Sequence, residues 1–248
     1  TQTAAALTYT TLFAVVPLMT VTYSLLSAVE AFDGVNDKIQ DFVFQNFLPA
    51  TGMVVQEKLG EFSSQARELT AIGFLFLIVT AFMMLVSVET AFNRIWSVRE
   101  PRRGMSRFLL YWGILTLSPL LLGAGFAISS YLFSLPLVSD VDTFGVRERL
   151  LRMLPLVLSA GTFTVLFAAV PNTRVRLSDA VRGGVLCMLA FEGAKWGFAA
   201  VIQQTTVQVI YGTFAAVPVF LIWLYLTWTI VIVGAEVTHA LGALRYAS

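Results

Sequence analysis

The sequence predicts an all-α, polytopic membrane protein with six transmembrane helices, and three observations predict it. Hydrophobic residues make up 57% of the 248 residues and charged residues 12%, half the roughly 25% charged share of soluble domains. Six long apolar stretches recur, and at about 1.5 Å of helical rise per residue they suit a hydrocarbon core about 30 Å thick. Arginine is gathered into two connecting loops although the net charge is only +1, and short basic loops stay on the cytoplasmic side. The single cysteine, Cys187, excludes an intramolecular disulfide framework. The chain starts at Thr1 with no basic segment before a short apolar core, so its start reads as the edge of a trimmed chain and not as a signal peptide.

The longest apolar stretch, residues 210–239, carries no charge before Glu236, and the other five are read as a bundle around it. The first span is 4–32, with a kink expected at Pro17, whose ring removes the helical hydrogen bond to the Phe13 carbonyl. Residues 33–67 are too polar to span. They hold apolar residues at helical spacing in two runs, Ile39, Phe42, Val43, Phe47 and Val55, Leu59, Phe62, Ala66, separated by Pro49. This predicts an extracytoplasmic, amphipathic helical insert within a single domain of 1–248, lying on the membrane surface or on the bundle mouth.

The second span is 69–92. The loop after it carries Arg94, Arg99, Arg102, Arg103 and Arg107 against a lone Glu100, which places it in the cytoplasm. The third span, 108–135, has Tyr111 and Trp112 at interface level and Pro119 inside. Asp140 and Asp142 put the next loop outside. The fourth span, 150–170, ends at Pro171-Asn172 before a basic loop with Arg174, Arg176 and Arg182. The fifth is 183–202, and an uncharged turn leads to the sixth. Every loop is satisfied with both termini cytoplasmic.

Several polar words inside these helices carry a resemblance. AAALTYTTLFAVVPL at 4–18, AFNRIWSVREPRR at 91–103, LLYWGILTLSPLLLG at 109–123, VPNTRV at 170–175, FEGAKWGF at 191–198 and the closing VIYGTFAAVPVFLIWLYLTW…GAE occur in one order along the chain. With these words the sequence resembles the YihY/BrkB family of bacterial inner-membrane proteins over essentially its whole length. The resemblance implies six helices and a bacterial cytoplasmic (inner) membrane location, and no agreed chemistry. The family has carried a ribonuclease BN label.

The candidate site residues are ionisable or polar groups inside apolar helices. Glu192 and Lys195 lie three apart on the fifth span, sharing a face near the bilayer middle, where an isolated charge costs roughly 2.5–3.5 kcal/mol. They read either as a structural ion pair or as the lining of a path for an amphiphile, ion or proton. Glu89 and Asn93 sit one turn apart near the cytoplasmic end of the second span, with Glu236 and His239 at similar depth on the sixth. All six could converge in a polar vestibule, or the end-positioned ones could snorkel to headgroups. Thr8, Tyr9, Thr10 and Thr11 form a polar stripe that lines the same vestibule or joins helices. Pro17, Pro119, Pro155 and Pro218 are candidate hinges, although neighbours can satisfy the carbonyls that prolines free in membrane helices.

Other chemistry finds less support. Glu236 and His239 have an ExxH spacing, but carboxylate metal sites need two His-bearing helices and the chain has one His, so no metal is expected. Cys187 lacks an orienting group for catalysis. The Arg loop offers no aromatic platform beyond Trp96, and the cytoplasmic loops hold only Glu100 and Asp179 as carboxylates, so neither nucleic-acid binding nor nuclease activity is expected. No phosphate loop or dinucleotide fingerprint occurs, so no cofactor is expected. The expectation is a non-enzymatic permease or exporter of a lipid or other amphiphilic anion, through a cytoplasm-open polar cavity around the fifth and sixth helices. The partners expected are membrane lipids. One alternative is a membrane scaffold or envelope-assembly factor docking an envelope protein at the 33–67 insert; another is a pore formed by a homo-oligomer.

Overall fold

A computed structural model of the chain describes residues 2–27, 71–100, 102, 104–116, 120, 146–204 and 216–246. The 33–67 insert, Pro119 and the Asp140 to Asp142 loop lie outside the described residues. Six helices and no strand occur among them: α1 (Gln2–Ser27), α2 (Ala71–Ile95), α3 (105–116), α4 (Val146–Ala169), α5 (Leu177–Gln204) and α6 (Ala216–Tyr246). The helices overrun the apolar stretches at their polar ends. Helix α5 starts six residues before Gly183, with Asp179 in its first turn where the helix dipole favours an acid, and α6 continues past His239 to Tyr246.

Among the described residues three stretches are long and apolar enough to cross a membrane: Ile78–Ile95, Leu177–Ile202 and Pro218–Leu244. Pro155–Ala169 of α4 is apolar but shorter, because Arg147, Glu148, Arg149 and Arg152 occupy the first turns of that helix. Pro17 and Pro155 lie inside continuous helices. Pro218 lies in the first turn of α6, where a missing N–H leaves no helical hydrogen bond unmade.

Helix α6 is apolar on every side and packs against α1, α2, α4 and α5, while α4 also packs on α5 and α1 on α2. Lipid supplies little drive for helices to associate, so close packing and interhelical hydrogen bonds must do it. Small residues make this possible between α4, α5 and α6. A Cβ on Gly183 would lie 1.8 Å from Thr238 Oγ1 and 2.9 Å from its Cβ, and one on Gly184 would lie 2.4 Å from Thr164 Oγ1. Two adjacent glycines thus seat α5 against α6 and α4 at once. Between α1 and α6 the contact is polar: the Trp228 indole N–H donates to Thr11 Oγ1 at 2.9 Å.

Aromatic rings fill the space between the helices. Ring contacts run from Trp96 to Phe92, Phe167, Phe163, Phe191, Trp223 and Phe198, with centroids 5.1 to 6.4 Å apart. These separations fall in the range where offset and tilted rings attract. The core is therefore a packed aromatic column.

One end of the bundle gathers the C-terminal ends of α2 and α4, the last turns of α6, and the first turn of α5. There α2 closes in a Schellman motif: Val98 N–H donates to Asn93 O at 2.8 Å and Ser97 N–H to Arg94 O at 3.1 Å. Ser97 takes the left-handed conformation, φ +51°, that glycine adopts without strain.

Two predictions follow from this packing. Gly183→Ala should destabilise the protein by about 1–3 kcal/mol through overpacking, with Thr238→Ala restoring part of the loss and Gly193→Ala, whose Cβ would meet nothing within 4 Å, neutral. Thermal unfolding in detergent reads the order of the three. Ser97→Gly should stabilise by about 1 kcal/mol by relieving the left-handed strain, seen as a higher melting temperature.

Candidate functional site

A polar network at the gathered end is built on Glu89, whose residue is 1% exposed. A buried carboxylate needs several partners to offset its lost hydration. Arg107 Nε lies 3.0 Å from Glu89 Oε2 and also 3.0 Å from the Tyr111 hydroxyl, and that hydroxyl donates to the same Oε2. On the other oxygen, Asn93 Nδ2 donates at 3.4 Å and Arg102 Nη1 stands 3.9 Å away. The Tyr111 hydrogen bond above all, then the charges beside it, holds the Arg107 guanidinium above its ordinary value despite partial burial.

Arg102 extends this network. Its guanidinium donates to the carbonyls of Val170 (3.0 Å), Ala169 (3.2 Å) and Pro171 (3.3 Å), which end α4 without helical partners. Asn172 N–H donates to Asn93 Oδ1 at 2.8 Å, and its side-chain amide donates to Glu100 O at 2.8 Å. The α2–α3 loop and the α4–α5 loop are thereby tied together beneath a single carboxylate.

Beside this network lies a cleft of about 390 Å³ lined by Trp96, Arg174, Val175, Arg176, Asp179, Thr238, His239, Gly242 and Ala243. Three elements place its polar groups: Trp96 just past the end of α2, the arginines before α5, and His239 on α6. The His239 ring meets Trp96 edge-on at 5.9 Å and 65°. Asp179 is buried on the cleft wall, 3.8 Å from Arg182 and 3.4 Å from Ser178 Oγ. Such a cleft can hold a small anionic group against guanidinium charge, with ring faces for apolar matter beside it.

Glu192 and Lys195 form an ion pair at 2.6 Å within α5, and Lys195 Nζ also sits 5.6 Å from the Phe191 ring centroid. The pair lies thirteen residues beyond Asp179, so roughly 20 Å along the helix from the cleft. No described contact joins it to Glu89, Asn93 or His239. The structure thus brings Glu89 together with Asn93, and Glu192 with Lys195, while His239 faces the cleft and Glu236 lies exposed on α6. Thr8 is buried with its hydroxyl bonded to Ala4 O at 2.8 Å, and Tyr9 is 65% exposed, ring against Phe13. Cys187 is buried with Sγ 3.8 Å from Ile230 O. Among the described residues no cluster of His, Cys, Asp and Glu is placed to hold a metal.

From the sequence, Arg102 and Arg107 take a role in topology or in contact with anionic headgroups, Arg174 and Arg176 a role in topology, and Tyr111 a place at the interface. The available signal was Arg107–Tyr111, a four-residue spacing that puts both side chains on one face of α3, toward an acid that needed partners.

The sequence profile of the family described as Virulence factor BrkB matches residues 1–247. The chain belongs to the BrkB family. Curated relatives of this BrkB-family chain are named UPF0761 membrane protein, a name that states a membrane location and no catalytic activity. That of Chromohalobacter salexigens is 55% identical over 248 residues, covering 99% of this chain and 60% of the relative. That of Pseudomonas aeruginosa is 52% identical over 245 residues, 98% and 60%, and that of Teredinibacter turnerae 47% over 248 residues, 100% and 58%. The BrkB-family chain thus spans about 60% of the length of these relatives. No solved structure matches it.

The geometry around Glu89 predicts an order of damage. Arg107→Met leaves the buried carboxylate without its nearest cation and should cost about 3–5 kcal/mol. Glu89→Gln should cost less, because the arginines are partly exposed and can turn to water, and Tyr111→Phe only about 1 kcal/mol. Unfolding of the three purified variants in mixed detergent checks the order; equal losses would contradict it.

Proposed function

We propose that this BrkB-family chain forms the membrane core of a non-enzymatic permease or exporter for an amphiphilic anion in the bacterial cytoplasmic membrane. In this reading it has six spans and cytoplasmic termini, and the cleft is the vestibule open to the cytoplasm. The observation that carries the reading is the cleft itself, where Arg174 and Arg176 stand with Trp96 and His239 at the end of an apolar bundle. Guanidinium groups recognise anions, and aromatic rings tolerate an attached apolar chain. The basic loops at that end favour the cytoplasmic side.

The Glu192–Lys195 pair supports the same reading from inside the span. An ion pair at mid-helix is costly in hydrocarbon, and ionisable groups held there commonly serve a pathway. Glu89 and Asp179 are buried beside arginines, an arrangement suited to holding structure and unlike the open carboxylates of a hydrolytic site.

Reconstitution of the purified protein into vesicles containing a fluorescent anionic phospholipid tests this. Protein-dependent movement of the label between leaflets is expected, with Arg174→Gln/Arg176→Gln slowing it at least tenfold. The Glu192→Gln/Lys195→Met protein should fold and be equally slow. Movement no faster than in protein-free vesicles, with folded wild-type protein, would refute the carrier reading.

A further inference from the structure

His239 is the single histidine of the 248 residues, and histidine is the side chain whose charge ordinarily changes between pH 5 and 8. It stands half-buried on α6 in the cleft wall, and neither of its ring nitrogens has a hydrogen-bond partner among the described residues. Arg174, in the same cleft, has no ion-pair or hydrogen-bond partner among them either. An imidazole open to a proton and a guanidinium open to an anion thus share one space of about 390 Å³.

The charges around the imidazole decide how the two groups affect each other. Arg174, Arg176 and Asp179 line the cleft. Asp179 is held by Arg182 and Ser178, and Arg176 is likewise engaged within the protein. From the end of α2 the neighbour is the uncharged Trp96, while Glu89 is enclosed by Arg107 and Tyr111. Helix α1 has no charged residue, and the charges of α4 lie in its first turns, at the opposite end of the bundle. On α6 itself, Glu236 is exposed one turn earlier and does not line the cleft. Two guanidinium groups against one carboxylate make the cleft wall positive, which disfavours an imidazolium there. A bound anion removes that penalty.

Magnitude decides whether this matters. A space of 390 Å³ is about 9 Å across, no longer than the Debye length of about 8–10 Å, so an anion anywhere in it acts on the imidazole. One negative charge about 6 Å away, through an effective dielectric between about 20 and 80, raises a titration midpoint by about 0.5–2 pH units. Linkage is reciprocal, so the same factor separates the anion's affinity for the protonated and the neutral site. Trp96 favours the imidazolium as well: its ring lies 5.9 Å from that of His239, within reach of a cation–π attraction, and is stacked on the buried Phe92.

We propose that His239 is a proton site coupled to an anion site at Arg174, so that one proton, taken from water onto a free imidazole nitrogen, binds together with one amphiphilic anion. The proton returns to water when the anion leaves. This deepens the carrier reading and rests on it for its purpose, which is to make occupancy of the cleft rise as pH falls. The coupling itself is measurable without transport.

NMR of protein labelled in the histidine ring nitrogens, and purified without a histidine tag, reports His239 alone. The titration runs from pH 5 to 8 in non-ionic detergent, with and without dihexanoyl phosphatidylglycerol, whose single negative charge is constant over that range. The probe should raise the midpoint by about one pH unit, and its affinity by calorimetry should fall about tenfold from pH 5 to pH 8. His239→Gln should bind it with no pH dependence, and in Arg174→Gln the probe should leave the midpoint unmoved, both variants keeping the wild-type melting temperature. Dihexanoyl phosphatidylcholine, with no net charge, should not move the wild-type midpoint; an equal shift from it would overturn the anion's part. A midpoint unmoved by bound phosphatidylglycerol would sink the coupling and leave the carrier standing, and failure of the probe to bind at any pH would sink it too. A shifted midpoint without protein-dependent leaflet movement of labelled lipid would keep the coupling and refute the carrier.

Discussion

A carboxylate without water has to be surrounded, and the gathered end of this bundle is organised by that requirement at Glu89. Its partners come from three parts of the chain: Asn93 one turn on, Arg102 in the following loop, and Arg107 with Tyr111 in α3. Satisfying one acid therefore fixes where α2 ends, how its loop returns, and how α3 begins. Arg102 carries the constraint onward to the open carbonyls of α4, and Asn172 closes it through Asn93. The cleft lies directly against this assembly because Trp96 sits three residues past Asn93 and Arg174 two past Asn172. Its shape is inherited from the packing around Glu89.

The rest of the bundle is held by a different physics. Along α5 and α6 the contacts are small residues and aromatic rings, where Gly183 meets Thr238 and Gly234 meets Cys187 and Phe167. Such surfaces give close approach and little else. They leave the Glu192–Lys195 ion pair in mid-α5. The protein thus separates a charge-knotted end from an apolar middle held by close packing.

Much was legible in the residues. The all-α class, the membrane character and the family follow from composition, apolar stretches and the order of polar words, and the family and membrane character agree with relatives at about half identity. The Glu192–Lys195 pairing was legible because three-residue spacing on a helix fixes it. The partners of Glu89 were not. Arg107 and Arg102 are eighteen and thirteen residues away across a turn, and a basic loop already had an explanation in topology, so its charges advertised no second role. The cleft was equally hidden: Trp96, Arg176 and His239 come from three elements, and nothing in their spacing signals that they meet.

By itself the sequence determined that these segments are helices, that lipid is their solvent and which residues would be costly to bury, because periodicity and transfer energy act locally. Tertiary structure decided which arginine answers Glu89, that Tyr9 turns outward while His239 faces a cleft, and that loops and helix ends distant in sequence share that cleft. Those outcomes depend on helix rotation about its axis. In an apolar bundle rotation is set by how glycines, rings and buried charges fit one another, and that fit exists only once the helices have met.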